Sequence, residues 1–225
     1  MIYDARMLRF FENLSENNQR EWFLEHKNDY EQDLVVPTTL LVSAMGPLLN
    51  EISPYLKADP RRSGGSMFRI YRDTRFSKDK TPYKTWVAVQ FPHVAAKDVH
   101  APGYYFSANH AQFVVGCGIW HPEKDALQSI RAAIDADPHA WESALNAASF
   151  KEYFSLGGES LKRPPKGFSK DHPLVKDLMR KDFIGMATHN PEWALDTELP
   201  QKLIDHYRAA VPFMSFLCQA LKLPF

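Results

Sequence analysis

The densest chemistry in this chain lies between Arg69 and Lys84, where six cations stand against two carboxylates. Arg69, Arg72 and Arg75 each offer a planar fork that fits a phosphate or a carboxylate. Lys80 and Lys84 add point charges, and Tyr71 and Tyr83 add stacking surface. A second cationic stretch runs Lys162, Arg163, Pro164, Pro165, Lys166, Gly167, and Arg163 is its candidate ligand contact. Between the two in sequence stands Trp120-His121. Trp120 is a candidate stacking surface; His121 and Asp73 are candidates for moving protons. Together these are residue types for recognising an anion. The competing reading is a solvated loop whose cations pair with Asp73, Asp79 and acidic helices nearby.

Other chemistries lack their patterns. Gly64-Gly65 and Gly116-Cys117-Gly118 do not have the spacing of a phosphate loop or a dinucleotide fingerprint, and they read better as places of close approach to a sheet. Nine histidines are present, His93, His100, His110 and His121 among them, without the helical i, i+4 pair or cysteine pattern of a zinc site. They read as loop and turn residues, no metal site is assigned, and no pattern names a cofactor. Neither a nucleophile elbow nor a Ser-His-acid set is visible.

The elements that must position these residues follow from periodicity. The first third reads as helices, with Met7, Leu8, Phe11 and Leu14 on one face, and Pro37 and Pro47 expected to kink or divide the Leu34 to Ile52 stretch. From Ser66 the period becomes two, predicting strands at Ser66–Tyr71, Thr85–Phe91, Gly103–Ala108 and Ala111–Ile119. A two-residue turn at Asn109-His110 would pair Phe106 with Phe113 and Tyr104 with Val115. Parity gives one apolar face containing Phe68, Ile70, Val89, Phe106, Phe113, Val115 and Cys117. The other face holds Arg69, Tyr71, Trp86, Gln90, Tyr105, Ser107, Gln112 and Trp120. A helix is predicted from His121 or Pro122, where free N–H groups favour an anion, and others at His139–Ala148, Pro173–Lys181 and Glu198–Leu221. A short strand is predicted at Phe183–Thr188. The fold class is α+β: a largely antiparallel sheet with helices on one face, a helical N-terminal third and a C-terminal helix, forming one domain over 1–225.

Formal net charge is zero, which argues against a protein that coats nucleic acid or anionic membrane by bulk electrostatics. The balance is uneven: Lys57 to Lys97 carries 10 cations against 3 carboxylates, and Leu161 to Asp182 carries 7 against 3. Any anion site is therefore local. Leu34 to Asn50 is too short and too polar to span a bilayer, and the first residues do not form a secretory signal. Cys117 and Cys218 read as buried thiols, which suits a reducing, cytoplasmic compartment.

The segment Gly64-Gly65-Ser66-Met67-Phe68-Arg69-Ile70-Tyr71-Arg72-Asp73-Thr74-Arg75-Phe76-Ser77-Lys78-Asp79-Lys80-Thr81-Pro82-Tyr83-Lys84-Thr85 resembles the hallmark of a bacterial and fungal family catalogued as domain of unknown function 2461. Gly118-Ile119-Trp120-His121-Pro122, Glu159 to Phe168 and Arg180-Lys181-Asp182-Phe183 resemble its other signatures, so the likeness runs over nearly the whole chain. It implies no activity, cofactor or catalytic residue. It does place the family's recognisable segments on both basic stretches and on Trp120-His121, and Trp86 stands where the family leads one to expect a smaller or more polar residue. Three functions remain open. The first is a binding or enzymatic domain for a small phosphate- or carboxylate-bearing ligand. The second is an interaction module docking an acidic partner, and the third, weakened by the acidic remainder, is nucleic-acid binding.

Overall fold

A computed structural model of the chain describes residues 2–95 and 101–225. Lys97 and His100 lie outside the described residues. Five strands, β1 Val87–Pro92, β2 Gly103–Ala108, β3 Phe113–Ile119, β4 Ser155–Gly157 and β5 Phe183–His189, form an antiparallel sheet in the order β1-β2-β3-β5-β4. Helices α1 Ala5–Glu16, α2 Arg20–Glu25, α3 Lys27–Tyr30 and α4 Val36–Ile52 precede it. After β3 come α5 Lys124–Ala136, α6 Pro138–Asn146 and α7 Ala148–Tyr153; α8 Val175–Leu178 precedes β5, and α9 Leu199–Ala209 and α10 Val211–Ala220 close the chain.

The period-two alternation decides the layering. Val87, Val89, Phe91, Tyr104, Phe106, Phe113, Val115, Cys117 and Ile119 all point to one side and are buried. There Tyr104 stacks on Tyr207 of α9 at 4.4 Å and donates its hydroxyl to the Tyr207 carbonyl at 2.9 Å, while Trp141 meets Phe183 and Phe213. The opposite face carries Trp86, Gln90, Tyr105, Ser107, Ile184 and Met186, all part-exposed.

Several elements differ from the sequence reading, each for a local reason. Ser66–Tyr71 is not a strand: Phe68 donates to the Ala88 carbonyl, but Ile70 turns off the β1 edge to pair with Lys84. The alternation resets, so Met67 and Ile70 join the core while Phe68 faces Tyr105 on the open side. The β2–β3 connection is the four-residue loop Asn109–Gln112, because Asn109 Oδ1 accepts from the N–H groups of both Ala111 and Gln112 at 2.9 Å. Phe106 therefore faces Val115 and Tyr104 faces Cys117; the register moves by two, which preserves every residue's face.

The predicted helix at Pro173–Lys181 shrinks to α8 because Arg180 and Lys181 are drawn into backbone pairing with Ser160 and Glu159. The Glu198–Leu221 helix is divided at Ala210, ahead of Pro212. Pro37 and Pro47 do not divide the earlier segment. Lys27–Ile52 runs on through a π-helical turn at Glu31–Val35, so Pro37 follows directly on a place where the i→i−4 ladder is already interrupted. By length and composition this run could cross a membrane; here Leu34, Leu41, Val42, Met45 and Leu49 pack into the core.

Cys117 and Cys218 are unpaired and buried, and burial pushes the Cys218 thiol up to about 12. Near the Phe113 end of the sheet, His189 and His206 meet Nε2 to Nε2 at 3.0 Å. His206 Nδ1 donates to the Lys202 carbonyl, so its Nε2 must accept from His189, and the contact holds only while the His206 ring is neutral. Burial lowers both pKa values, helped by Lys202 at His189 and by His189 at His206. Depressed histidines stabilise the fold fully above the unfolded value near 6.5 and lose that contribution as the pH falls below it. The melting temperature should be level above pH 7 and fall on acidification toward pH 5, and His189→Gln should flatten that slope. An equal slope in wild type and variant would refute the assignment.

Candidate functional site

The basic segment Arg69–Lys84 doubles back on itself beside β1. Lys84 donates its N–H to the Ile70 carbonyl at 2.8 Å and Arg72 donates to Pro82 at 2.9 Å, closing a structured loop. Its inner side is nailed to the N-terminal helices: Tyr83 stacks on Phe23 at 4.1 Å, and the Asn18 amide bonds both the N–H and the carbonyl of Tyr83. Tyr71 packs against Phe23 and Tyr83 and keeps about half its surface exposed, at 54%.

Two of the loop's six cations are ion-paired within it. Arg72 pairs with Asp79 at 2.5 Å and bonds the Thr81 hydroxyl, and Arg75 forks onto Asp73 at 2.6 and 3.0 Å. The Arg75 side chain holds the Asp73 carboxyl down at about 2; the Thr81 N–H, and then Arg72, do the same for Asp79. Asp73 is therefore an ionised partner of Arg75, not a group poised to accept a proton near neutrality. Lys80 donates to the Thr74 carbonyl at 2.8 Å.

Four cations of the loop have no carboxylate pair among the described residues, Lys78, Lys80, Arg69 and Lys84, and the last two lie at the edge of the open face. Arg69 is exposed, and Lys84 lies with its Nζ 5.4 Å from the Phe68 ring centre and 5.1 Å from that of Trp86, donating to the Arg69 carbonyl. Among the described residues neither has a carboxylate partner. Desolvation, and then the charge of Arg69, lower the Lys84 pKa. Beyond Trp86 the open face forms a shallow cavity of about 170 Å³ lined by Trp86, Tyr105, Ser107, Ala108, Asn109 and Gln112.

His121 lies elsewhere. It follows β3, at the end where β5 begins, whereas the basic loop leaves the Val87 end of β1. The two are a strand length apart, roughly 20 Å, and on different strands. Nor is His121 a helix start: α5 begins at Lys124 with Glu123 as its cap, and His121 takes the left-handed φ of 47°. The cause is Asp182, whose side chain is 1% exposed. Its Oδ1 accepts the His121 N–H at 2.7 Å and His121 Nδ1 at 2.6 Å, and its Oδ2 accepts the Glu159 N–H at 2.8 Å. Burial raises the Asp182 pKa, but these three donors outweigh it and leave it lowered. Glycine is required at Gly158, where φ is 91° and a Cβ would stand 2.5 Å from that of Asp182.

The Asp182 bond fixes the histidine tautomer, with hydrogen on Nδ1 and the lone pair on Nε2, and the ring stacks on Trp120 at 4.1 Å. Arg163 is exposed in the loop that leaves Glu159, so the second basic stretch starts at this corner and the first does not reach it. Sequence reasoning missed Asp182 as a partner; its presence in the Arg180-Lys181-Asp182-Phe183 signature was the only signal. It also missed Phe68 and Asn109 as open-face residues. Among the described residues no cluster of three or more His, Cys, Asp or Glu could hold a metal ion. His93 is instead a tie, its Nε2 donating to the Pro224 carbonyl at 2.7 Å.

Fold and site thus define an α+β domain whose helices back one face of an antiparallel sheet and leave a cationic, aromatic face open. The chain belongs to the conserved hypothetical protein family DUF2461, whose profile matches residues 6–216. No curated protein and no solved structure matches it.

Asp182→Ala strands the buried N–H groups of His121 and Glu159 and should cost about 3 kcal/mol or more in urea unfolding. Arg72→Ala removes an exposed pair and should lower the melting temperature only slightly, an effect that high salt abolishes. If Asp182→Ala were as mild as Arg72→Ala, Asp182 would not tie these strand ends together.

Proposed function

We propose that this chain binds a phosphate- or carboxylate-bearing ligand at the β1 edge of its open sheet face, with Lys84 and Arg69 as the anion contacts. The observation that carries this reading is the Lys84 ammonium, part-buried over two rings, beside a like charge and without a carboxylate. A bound anion removes both penalties. Arg72 and Arg75 shape the loop, with their charges spent on Asp79 and Asp73, and Lys80 braces it through the Thr74 carbonyl. Two buried, unpaired thiols support a reducing compartment such as the cytoplasm.

A second reading is favoured by the other corner of the sheet. His121 is part-exposed and Asp182 engages its Nδ1, so Nε2 is the nitrogen left to take or give a proton, and Arg163 on the adjoining loop is a cation for the anionic end of a substrate. An enzyme acting there needs no contribution from the Arg69–Lys84 loop.

Melting temperatures with phosphate, pyrophosphate and citrate at fixed ionic strength test the first reading. Wild type should be stabilised, by about 2.7 kcal/mol at a hundredfold excess over Kd. Lys84→Met should lose the response while matching or exceeding wild-type stability, because it deletes an uncompensated cation. Arg75→Ala should keep the response. If loss follows His121→Gln and not Lys84→Met, the second reading replaces the first. If no anion stabilises wild type, the face is better read as an interaction surface for an acidic partner.

A further inference from the structure

We infer that the ligand of the open face carries a planar heteroaromatic ring next to its anionic group, and that the cavity beside Trp86 receives this ring, which makes the ligand a nucleotide. This rests on the anion site at Lys84 and adds to it the chemistry of the neighbouring space. The cavity of about 170 Å³ has room for about five waters at ≈ 30 Å³ each, and is well short of the roughly 300–1,000 Å³ of a site for a whole drug-sized ligand. It suits one flat ring, with the rest of the molecule outside.

The lining specifies what kind of ring. Trp86 and Tyr105 are its aromatic members. The turn residues supply polar groups with unspent capacity. Asn109 Oδ1 is occupied by the N–H groups of Ala111 and Gln112, which leaves its Nδ2 as a donor. The Gln112 side chain is exposed and offers one donor group and one acceptor, neither engaged among the described residues. A hydrocarbon ring would leave these groups unanswered, whereas the edge of a nucleobase carries both donors and acceptors.

The link to the anion contact is Trp86 itself. It lines the cavity, and the Lys84 ammonium lies 5.1 Å from its ring centre, so ring site and cation are adjacent. Stacking of a base on an aromatic side chain adds to the phosphate contact and turns a weak site into a selective one. Ring and phosphate together could belong to a free nucleotide or to a single strand, and the chemistry at the site is shared.

Calorimetric titration with adenosine and uridine 5′-monophosphates, ribose 5-phosphate and inorganic phosphate tests the inference. Wild type should bind at least one nucleotide ten times more tightly than ribose 5-phosphate. Trp86→Leu should erase that ratio without weakening ribose 5-phosphate, and Lys84→Met should weaken all phosphates alike. Gln112→Ala, an exposed change that leaves the fold intact, should narrow the ratio even if Trp86→Leu does not fold. Equal affinity of wild type for nucleotides and ribose 5-phosphate would overturn the ring site while leaving the anion site standing. Absence of binding by every phosphate compound would remove the anion reading itself. A seven-residue oligothymidylate binding more tightly than thymidine 5′-monophosphate would identify a strand as the source of the ring, and equal affinity a free nucleotide; either supports the site.

Discussion

Burial of one face of the sheet, and not the other, is the constraint from which the rest of this structure follows. Tyr104, Phe106, Phe113 and Val115 put their bulk on the same side of adjacent strands, so α9 and α10 have one surface on which to pack. That packing leaves Trp86, Tyr105 and Ser107 uncovered by helices. The centre of this open face is closed by its own side chains. A Cβ at Gly116 would stand 3.3 Å from Met186 Sδ and 3.4 Å from the Tyr105 ring, so both lean over the glycine and the usable space moves to the β1 side.

The strand ends show how much a single buried charge can organise. Asp182 precedes β5, His121 follows β3 and Glu159 follows β4, and three hydrogen bonds to one carboxylate tie them together. A carboxylate this buried is stable only because every donor is well placed, and the left-handed backbone of His121 is the local cost. The same bonds that serve the fold also hold a part-exposed imidazole by its Nδ1. A structural knot and an acid–base group are therefore compatible roles for one pair of residues.

Charge tells a different story at the basic loop. Six cations in a short segment suggest a strong positive field, but Asp73 and Asp79 each capture an arginine two to seven residues away. Among the cations left without an ion pair, Arg69 and Lys84 are the two placed where the loop meets the aromatic face. Counting charges located the region; only geometry separated neutralised cations from available ones.

Sequence alone determined the properties that depend on near neighbours. The period-two alternation placed Val89, Phe106, Phe113 and Val115 on one face, set β2 at Gly103–Ala108 and fixed an antiparallel α+β sheet backed by helices. Even the register error at Asn109 was harmless, since a shift of two returns each side chain to the same face. Tertiary structure decided what depends on distant partners. Ile70 left β1 because Lys84 offered it a hydrogen bond, which turned Phe68 to the open side, and His121 was lifted out of the α5 start by Asp182, 61 residues away. Alternation is written residue by residue along a strand, but the donor a carboxylate captures, or the cation it neutralises, is settled only when remote segments are packed into hydrogen-bonding distance.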